Sequence, residues 1–275
     1  MIRWIAKYIA LPCILVVAFP TTLMAQEDSE FEAEAEASVD AFSRFVWRGI
    51  AFNRDGVLQY TALGSAYGFT ALAWANMPVT DLGGTRRAGE LDEIDLVLDY
   101  TRSIASLRDI VGYSVGMVHY RFMRGYADPI TELYGGLKFD VLLSPSVTWN
   151  QLFGGVTGAY AAVGIEHSFE DIVGWRDHLH MDVVLSASAG FGTPGFNDAF
   201  FGVSETRPVD FTMGAEVPFR LKYGFRVVPS AHGSVILSKD IRNAYPYSQH
   251  SPQAWFGVKL AKTFSFGGAS TKAGE

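Results

Sequence analysis

The sequence predicts an all-β chain that spans a membrane as an antiparallel up-and-down β-barrel of about 12 strands. Three observations predict it. The chain is 49% hydrophobic and 14% aromatic with 28 glycines, a composition suited to a membrane. Beyond a short leader, however, no apolar run is long enough for a spanning helix, which needs ~20 residues. Apolar residues instead recur at every second position in segment after segment, the period of a strand. A barrel reconciles the three, because closure satisfies every backbone hydrogen bond and only alternate residues face lipid.

The leader comes first. Arg3 and Lys7 precede an apolar run from Ile9 to Phe19, a polar break at Pro20, Thr21 and Thr22, and the small Ala25. That layout is a secretory signal peptide over residues 1–25, cleaved between Ala25 and Gln26. The only cysteine, Cys13, lies inside it, so the mature chain is expected to hold no disulfide and no cysteine-based metal or nucleophile chemistry. Without Arg3 and Lys7, 20 basic residues stand against 29 acidic ones, a net charge of −9. Glu27, Asp28, Glu30, Glu32, Glu34 and Glu36 crowd into an acidic lead-in over residues 26–36, and the remainder carries only −3. No nucleic-acid partner follows from such a balance. The barrel is assigned to residues 37–266 and a C-terminal tail to 267–275.

The strands follow in order. The first is read from Ala35 to Trp47, then Val57 to Gly64, Tyr67 to Asn76, and Ile94 to Thr101, where Ile94, Leu96, Leu98 and Tyr100 alternate with Asp95, Asp99 and Thr101. Ile110 to Phe122, Ile130 to Phe139, Leu143 to Phe153 and Thr157 to Phe169 are weaker cases of the same pattern. Leu179 to Phe191 is stronger, with Met181, Val183, Leu185, Ala187 and Ala189 against His180, Asp182, Ser186 and Ser188. The clearest is Val209 to Tyr223, apolar at every odd position and polar or small at nearly every even one. Phe225 to Leu237 and Ala254 to Phe266 complete an even number, as a bacterial barrel needs.

Connections alternate in length. They are tight near Gly64, Asp140 and Gly224 and long through Asp81–Gly84, Thr193–Pro208 and Lys239–Pro252, which puts both termini on the short-turn, periplasmic side. Glu170 to Arg176 is the exception, a longer connection on the short side. Trp47, Tyr100, Phe139, Phe153, Phe169, Phe191 and Tyr223 gather near strand ends, where an interfacial girdle would hold them. Pro218 and Pro229 cannot donate to a ladder, so each implies a bulge or a break.

Candidate chemistry is sparse. His178, His180 and Asp182 share one strand face at a spacing that two imidazoles can use for zinc, but a polar lumen face running into a turn accounts for them, and no metal is assigned. A symmetric turn at Gly224 would put Glu216 opposite His232, between Ser230 and Ser234. Same-face neighbours on a strand are about 7 Å apart, whereas a nucleophile must come within ~3 Å of its base. No catalytic residue and no cofactor are therefore assigned. Gly190, Gly192 and Gly195 follow a strand with no helix expected after them, which excludes a phosphate loop.

The stretch Ser43-Arg44-Phe45-Val46-Trp47-Arg48-Gly49-Ile50, with Gly68-Phe69, Ala73-Trp74-Ala75-Asn76, Glu93-Ile94-Asp95 and Glu132-Leu133-Tyr134-Gly135-Gly136, resembles the opening hairpins of TorF-type porins of Gram-negative bacteria. The resemblance covers roughly residues 40 to 150. It implies an exported outer-membrane barrel with a pore role, and it carries no catalytic or ligand residue.

The inward faces are then expected to present Asp95, Asp99, Glu132, Lys138, Glu166, Asp182, Asp210, Glu216, Arg220, Lys222, Arg226, His232 and Lys259 as the lumen lining. Twelve strands tilted at ~40° give a cylinder about 12 Å in radius and at most ~10 Å clear. The expected function is a passive channel for small hydrophilic solutes, in contact with outer-membrane lipid. The alternative is a non-conducting scaffold barrel that binds envelope partners.

Overall fold

The computed structural model describes residues 33–82, 86–175, 179–244 and 251–266. The leader, most of the acidic lead-in, the tail after Phe266 and His178 lie outside them. In chain order the elements are β1 (Ala33–Phe42), β2 (Phe45–Trp47), β3 (Ile50–Asn53), β4 (Val57–Ala66), β5 (Phe69–Pro78), β6 (Glu93–Ser103), β7 (Val111–Phe122), β8 (Ile130–Phe139), β9 (Ser146–Gly154), β10 (Gly158–Trp175), β11 (Leu179–Gly192), α1 (Pro194–Phe201), β12 (Arg207–Glu216), β13 (Phe219–Leu221), β14 (Phe225–Ile236), α2 (Lys239–Ala244) and β15 (Gln253–Phe266).

Each wall strand pairs antiparallel with its sequence neighbours, and β1 closes the ring by pairing with both β4 and β15. With β12 and β13 counted as one interrupted strand, the wall is a closed 12-strand barrel. The interruption falls at Pro218, where the missing N–H breaks the ladder, although Asp182 N–H still reaches the Pro218 carbonyl at 3.0 Å. Pro229 is different. It is carried inside an unbroken β14, its carbonyl accepting from Val217 N–H at 2.9 Å.

Period-two alternation decides the faces. Leu96, Leu98, Val115, Leu133, Trp149, Val163, Ile165, Leu185, Met213 and Leu260 are all large, apolar and exposed on the outside. Their strand neighbours Asp95, Asp99, Glu132, Asn150, Thr212 and Lys259 are buried on the inside. An apolar exterior around a polar interior is the inverse of a soluble fold, and it is what lipid solvent requires.

Several boundaries differ from the sequence reading. β1 begins at Ala33, so Glu34 and Glu36 of the acidic run belong to the wall and pair with Ser265 and Thr263. β1 also ends at Phe42 rather than Trp47. Ser43 ties off the strand through its N–H to Phe256 O (2.9 Å) and through Oγ, which accepts from Phe256 N–H (3.1 Å). The chain then turns inward and forms the separate hairpin β2–β3. Trp47 is thus 9% exposed among aromatic rings rather than part of an interfacial girdle. Of the expected connection Glu170 to Arg176, the residues up to Trp175 are strand, because β10 runs on across an irregularity between Phe169 and Val173, and Arg176 lies outside the described residues.

Turns follow the local chemistry. Ala66 pairs with Phe69 across the two-residue loop Tyr67-Gly68, both at positive φ (53° and 83°), the twist that suits a tight hairpin. Between β13 and β14 the turn centres on Tyr223 (φ 62°). Arg220 therefore pairs with Arg226 and Glu216 with Ser230, while His232 faces Gly214. Moving the centre one residue from Gly224 shifts every pair by two and leaves the paired side chains on their expected faces, while Lys222 falls into the turn.

Candidate functional site

The site is the lumen, and its two halves are built differently. In the short-turn half, fixed charges pair across neighbouring inward faces. Lys138 and Glu166 are 3.3 Å apart, Arg226 and Glu36 2.5 Å, Arg220 and Asp182 3.0 Å, and Lys259 and Asp40 3.5 Å. Thr263 adds a hydroxyl to Glu36 at 3.0 Å, and Asp99 accepts from Tyr134 Oη and Thr101 Oγ1, each at 2.7 Å. Arg220 also reaches Asp171 (2.7 Å), which is bonded to His180 Nδ1 at 2.9 Å. His180 thus bonds a rim carboxylate and Asp182 an arginine, while His178, the third residue of that strand face, lies outside the described residues.

Water reaches part of this half. The side chains of Lys138 and Glu166 are 17% and 26% exposed, and that of Arg220 is 30% exposed. Lys222 is displaced from the expected lining. It sits in the turn after β13, exposed, beyond the inward face.

In the long-loop half the lumen is filled. β2–β3 lies across it, and Arg48 at the hairpin tip places Nη2 2.9 Å from both carboxylate oxygens of Glu132 on β8. These two side chains are 3% and 0% exposed. The guanidinium also lies 4.3 Å from the Trp47 ring and 4.2 Å from Tyr160 on β10, so its charge is held between a carboxylate and two π faces. Around the hairpin, Phe45 packs on Trp74 of β5 (5.5 Å between ring centres) and Trp47 on Tyr120 of β7 (6.2 Å).

The long loops complete the filling. Phe196 and Phe200 of α1 pack on Trp47 at 6.2 Å and 5.3 Å. Arg86, in the loop after β5, donates to Asp92 (2.7 Å) and to Phe52 O of the hairpin (3.0 Å) with Tyr126 beneath it. Burial, with Glu93 nearby, raises the Tyr126 phenol above its ordinary range, so it stays neutral.

The remaining expected residues are spread between the two halves, with Asp95 and Asp210 toward the long loops and Glu216 at the short-turn end of β12. Asp95 is opposite Trp74 and Tyr120 in the wall. Asp210 accepts from Tyr160 Oη (2.7 Å) and Thr212 Oγ1 (2.9 Å). His232 stacks on Trp255 at 5.2 Å, and Glu216 faces Ser230 rather than the imidazole, so the register does not assemble a serine, histidine and glutamate row. A helix, α1, does follow Gly190 and Gly192, contrary to the sequence reading. A Cβ at those glycines would strike Tyr160 Oη and Asn197 Oδ1, and Gly195 is as tightly packed against Thr157 O. The three glycines thus serve close packing.

Sequence reasoning missed Arg48, Arg86 and the hairpin itself. The available signal was Arg48-Gly49, a charged residue and a turn residue interrupting an apolar run, with Asn53, Asp55 and Gly56 shortly after.

No family model and no curated protein sequence matches the chain. Among solved structures it is similar to the KdgM porin in complex with disordered oligogalacturonate, with 9% identity over 84% of this chain and 99% of that chain and a TM-score of 0.50. It is likewise similar to LpxR from Salmonella typhimurium, with 8% identity over 83% of this chain and 100% of that chain and a TM-score of 0.50. These likenesses show the fold: the chain is a 12-strand barrel of the outer-membrane type.

Proposed function

We propose that the chain is an exported outer-membrane channel of the TorF porin type, passing small hydrophilic solutes. The observation that carries this reading is the continuous set of fixed charges on the inward face, from Asp95 to Arg220, inside an apolar exterior. A barrel wall needs inward charge only if water, ions or polar solutes meet it, or if the charges pair to fill the space. Carboxylates outnumber bases there, which favours neutral and cationic solutes over anionic ones.

A second reading, a non-conducting scaffold for envelope partners, is favoured by one observation, the filled long-loop half around Arg48 and Glu132. Uptake of neutral sugars of increasing size into proteoliposomes separates the two. Flux that declines with solute size supports the channel. No flux through either the intact chain or one whose lumen hairpin has been cut back, with a folded barrel in both, leaves the scaffold.

A further inference from the structure

We infer that the hairpin β2–β3 is a plug that closes the lumen from the long-loop side, with Arg48–Glu132 as its latch, and that passage requires it to withdraw. The inference rests on the channel reading above. Its geometry is the way eleven consecutive residues, Ser43 to Asn53, touch the wall around most of its circumference.

The hairpin leaves the wall at β1 and is anchored on the adjacent β15, where Arg44 Nη1 donates to Gln253 Oε1 at 2.6 Å. Phe45 then meets β5 through Trp74, Trp47 meets β7 through Tyr120, and Arg48 meets β8 through Glu132 and β10 through Tyr160. On the far side the backbone of Gly49 (φ 79°) lies so close to the wall that a Cβ there would fall 2.5 Å from Ile236 Cδ1 and 2.9 Å from Asp210 Cβ. These contacts reach β5, β7, β8, β10, β12, β14 and β15. A segment that touches opposite walls of one cylinder at the same depth divides it.

The chemistry of the plug is mixed in a way that suits a removable element. Its apolar side chains, Phe45, Val46 and Ile50, are buried and hold it by area, whereas its tip is held to the wall by one ion pair. Removing one partner of a buried pair leaves the other charge uncompensated, so the closed state is sensitive to a single residue. Withdrawal would let water reach Arg48 and Glu132 and hydrate both charges. From outside, Arg86 clasps the hairpin at Phe52 O, so the loop after β5 must let go for the plug to leave.

The test compares three refolded proteins in planar bilayers: the full chain, Glu132→Gln, and a chain with residues 43–53 replaced by a short flexible link. Heat-modifiable gel migration verifies folding in each. The plug predicts a several-fold larger unit conductance for the shortened chain and more frequent openings for Glu132→Gln. Equal conductance in all three overturns the plug and leaves the channel reading standing. Silence in all three overturns both.

A second readout does not depend on the deletion. In a Cys13→Ser background, Val46→Cys places a thiol on a residue 1% exposed. A membrane-impermeant maleimide should label it slowly, and several-fold faster when Glu132→Gln is added. Equal labelling rates would remove the latch role from this ion pair.

Discussion

Asp40 on β1 and Lys259 on β15 face each other directly in register, 3.5 Å apart, with side chains 3% and 6% exposed. Both belong to wall strands rather than to the hairpin, so their energetics report on the lumen lining itself. Lys259→Met removes the cation and leaves the Asp40 carboxylate buried, a change expected to cost about 3 to 5 kcal/mol. Asp40→Leu added to it should recover most of that, because two apolar side chains of similar volume need no compensation. Urea unfolding in lipid vesicles measures both, and a single substitution as mild as the double one would mean that water already solvates the site. At this scale the sequence was legible through alternation alone: Asp95, Glu132, Asp210 and Lys259 sit inward because their neighbours Leu96, Leu133, Phe211 and Leu260 point outward. Alternation says nothing of partners, and Arg48 could not be matched with Glu132 because they are 84 residues apart.

Elements were legible where one face is uninterrupted and illegible where the chain leaves the wall. β8 runs from Ile130 to Phe139, the span its alternation predicts, and all twelve wall strands fall where the sequence placed them, give or take their ends. The lumen hairpin was not found, since Phe45 and Trp47 continue the alternation of β1 and only the tie-off at Ser43 turns them inward. The two faces give the element-scale prediction. Arg at Met213 or Leu185, exposed on the outside of β12 and β11, should cost about 2 to 4 kcal/mol near the bilayer midplane. The proper inward control is Ser186, half-buried opposite Gly214, where an arginine can extend along the lumen. Thr212 will not serve, because it is 3% exposed and bonded to Asp210 and Ser234 (2.9 and 2.8 Å). Equal costs for Arg at Met213 and at Ser186 would mean that the outer face does not meet lipid.

For the whole molecule, pairing decides what charge the lumen shows to a passing ion. Lys138, Arg220, Arg226, Lys259 and Arg48 each stand against a carboxylate, at Glu166, Asp182, Glu36, Asp40 and Glu132. Asp95, Asp99, Asp210 and Glu216 are inward carboxyl groups beyond those five pairs, so acidic side chains outnumber basic ones on the wall. Fixed charge along a narrow lumen raises the local counter-ion concentration, and its reach shrinks from about 10 Å at 0.1 M salt to about 3 Å at 1 M. The barrel with its hairpin cut back should therefore prefer cations in a salt gradient. Arg220→Glu with Arg226→Glu should move the reversal potential further that way, because each change adds a carboxylate and releases those its arginine had held, Asp182 and Asp171 for Arg220 and Glu36 for Arg226. Lys222→Glu should move it little, since that side chain lies in the turn rather than on the inward face. The shifts should fade as salt is raised. Selectivity that ignores the double substitution while conductance persists would take β13 and β14 out of the ion path. Anion preference in the parent barrel would contradict the charge pairing of the lumen itself.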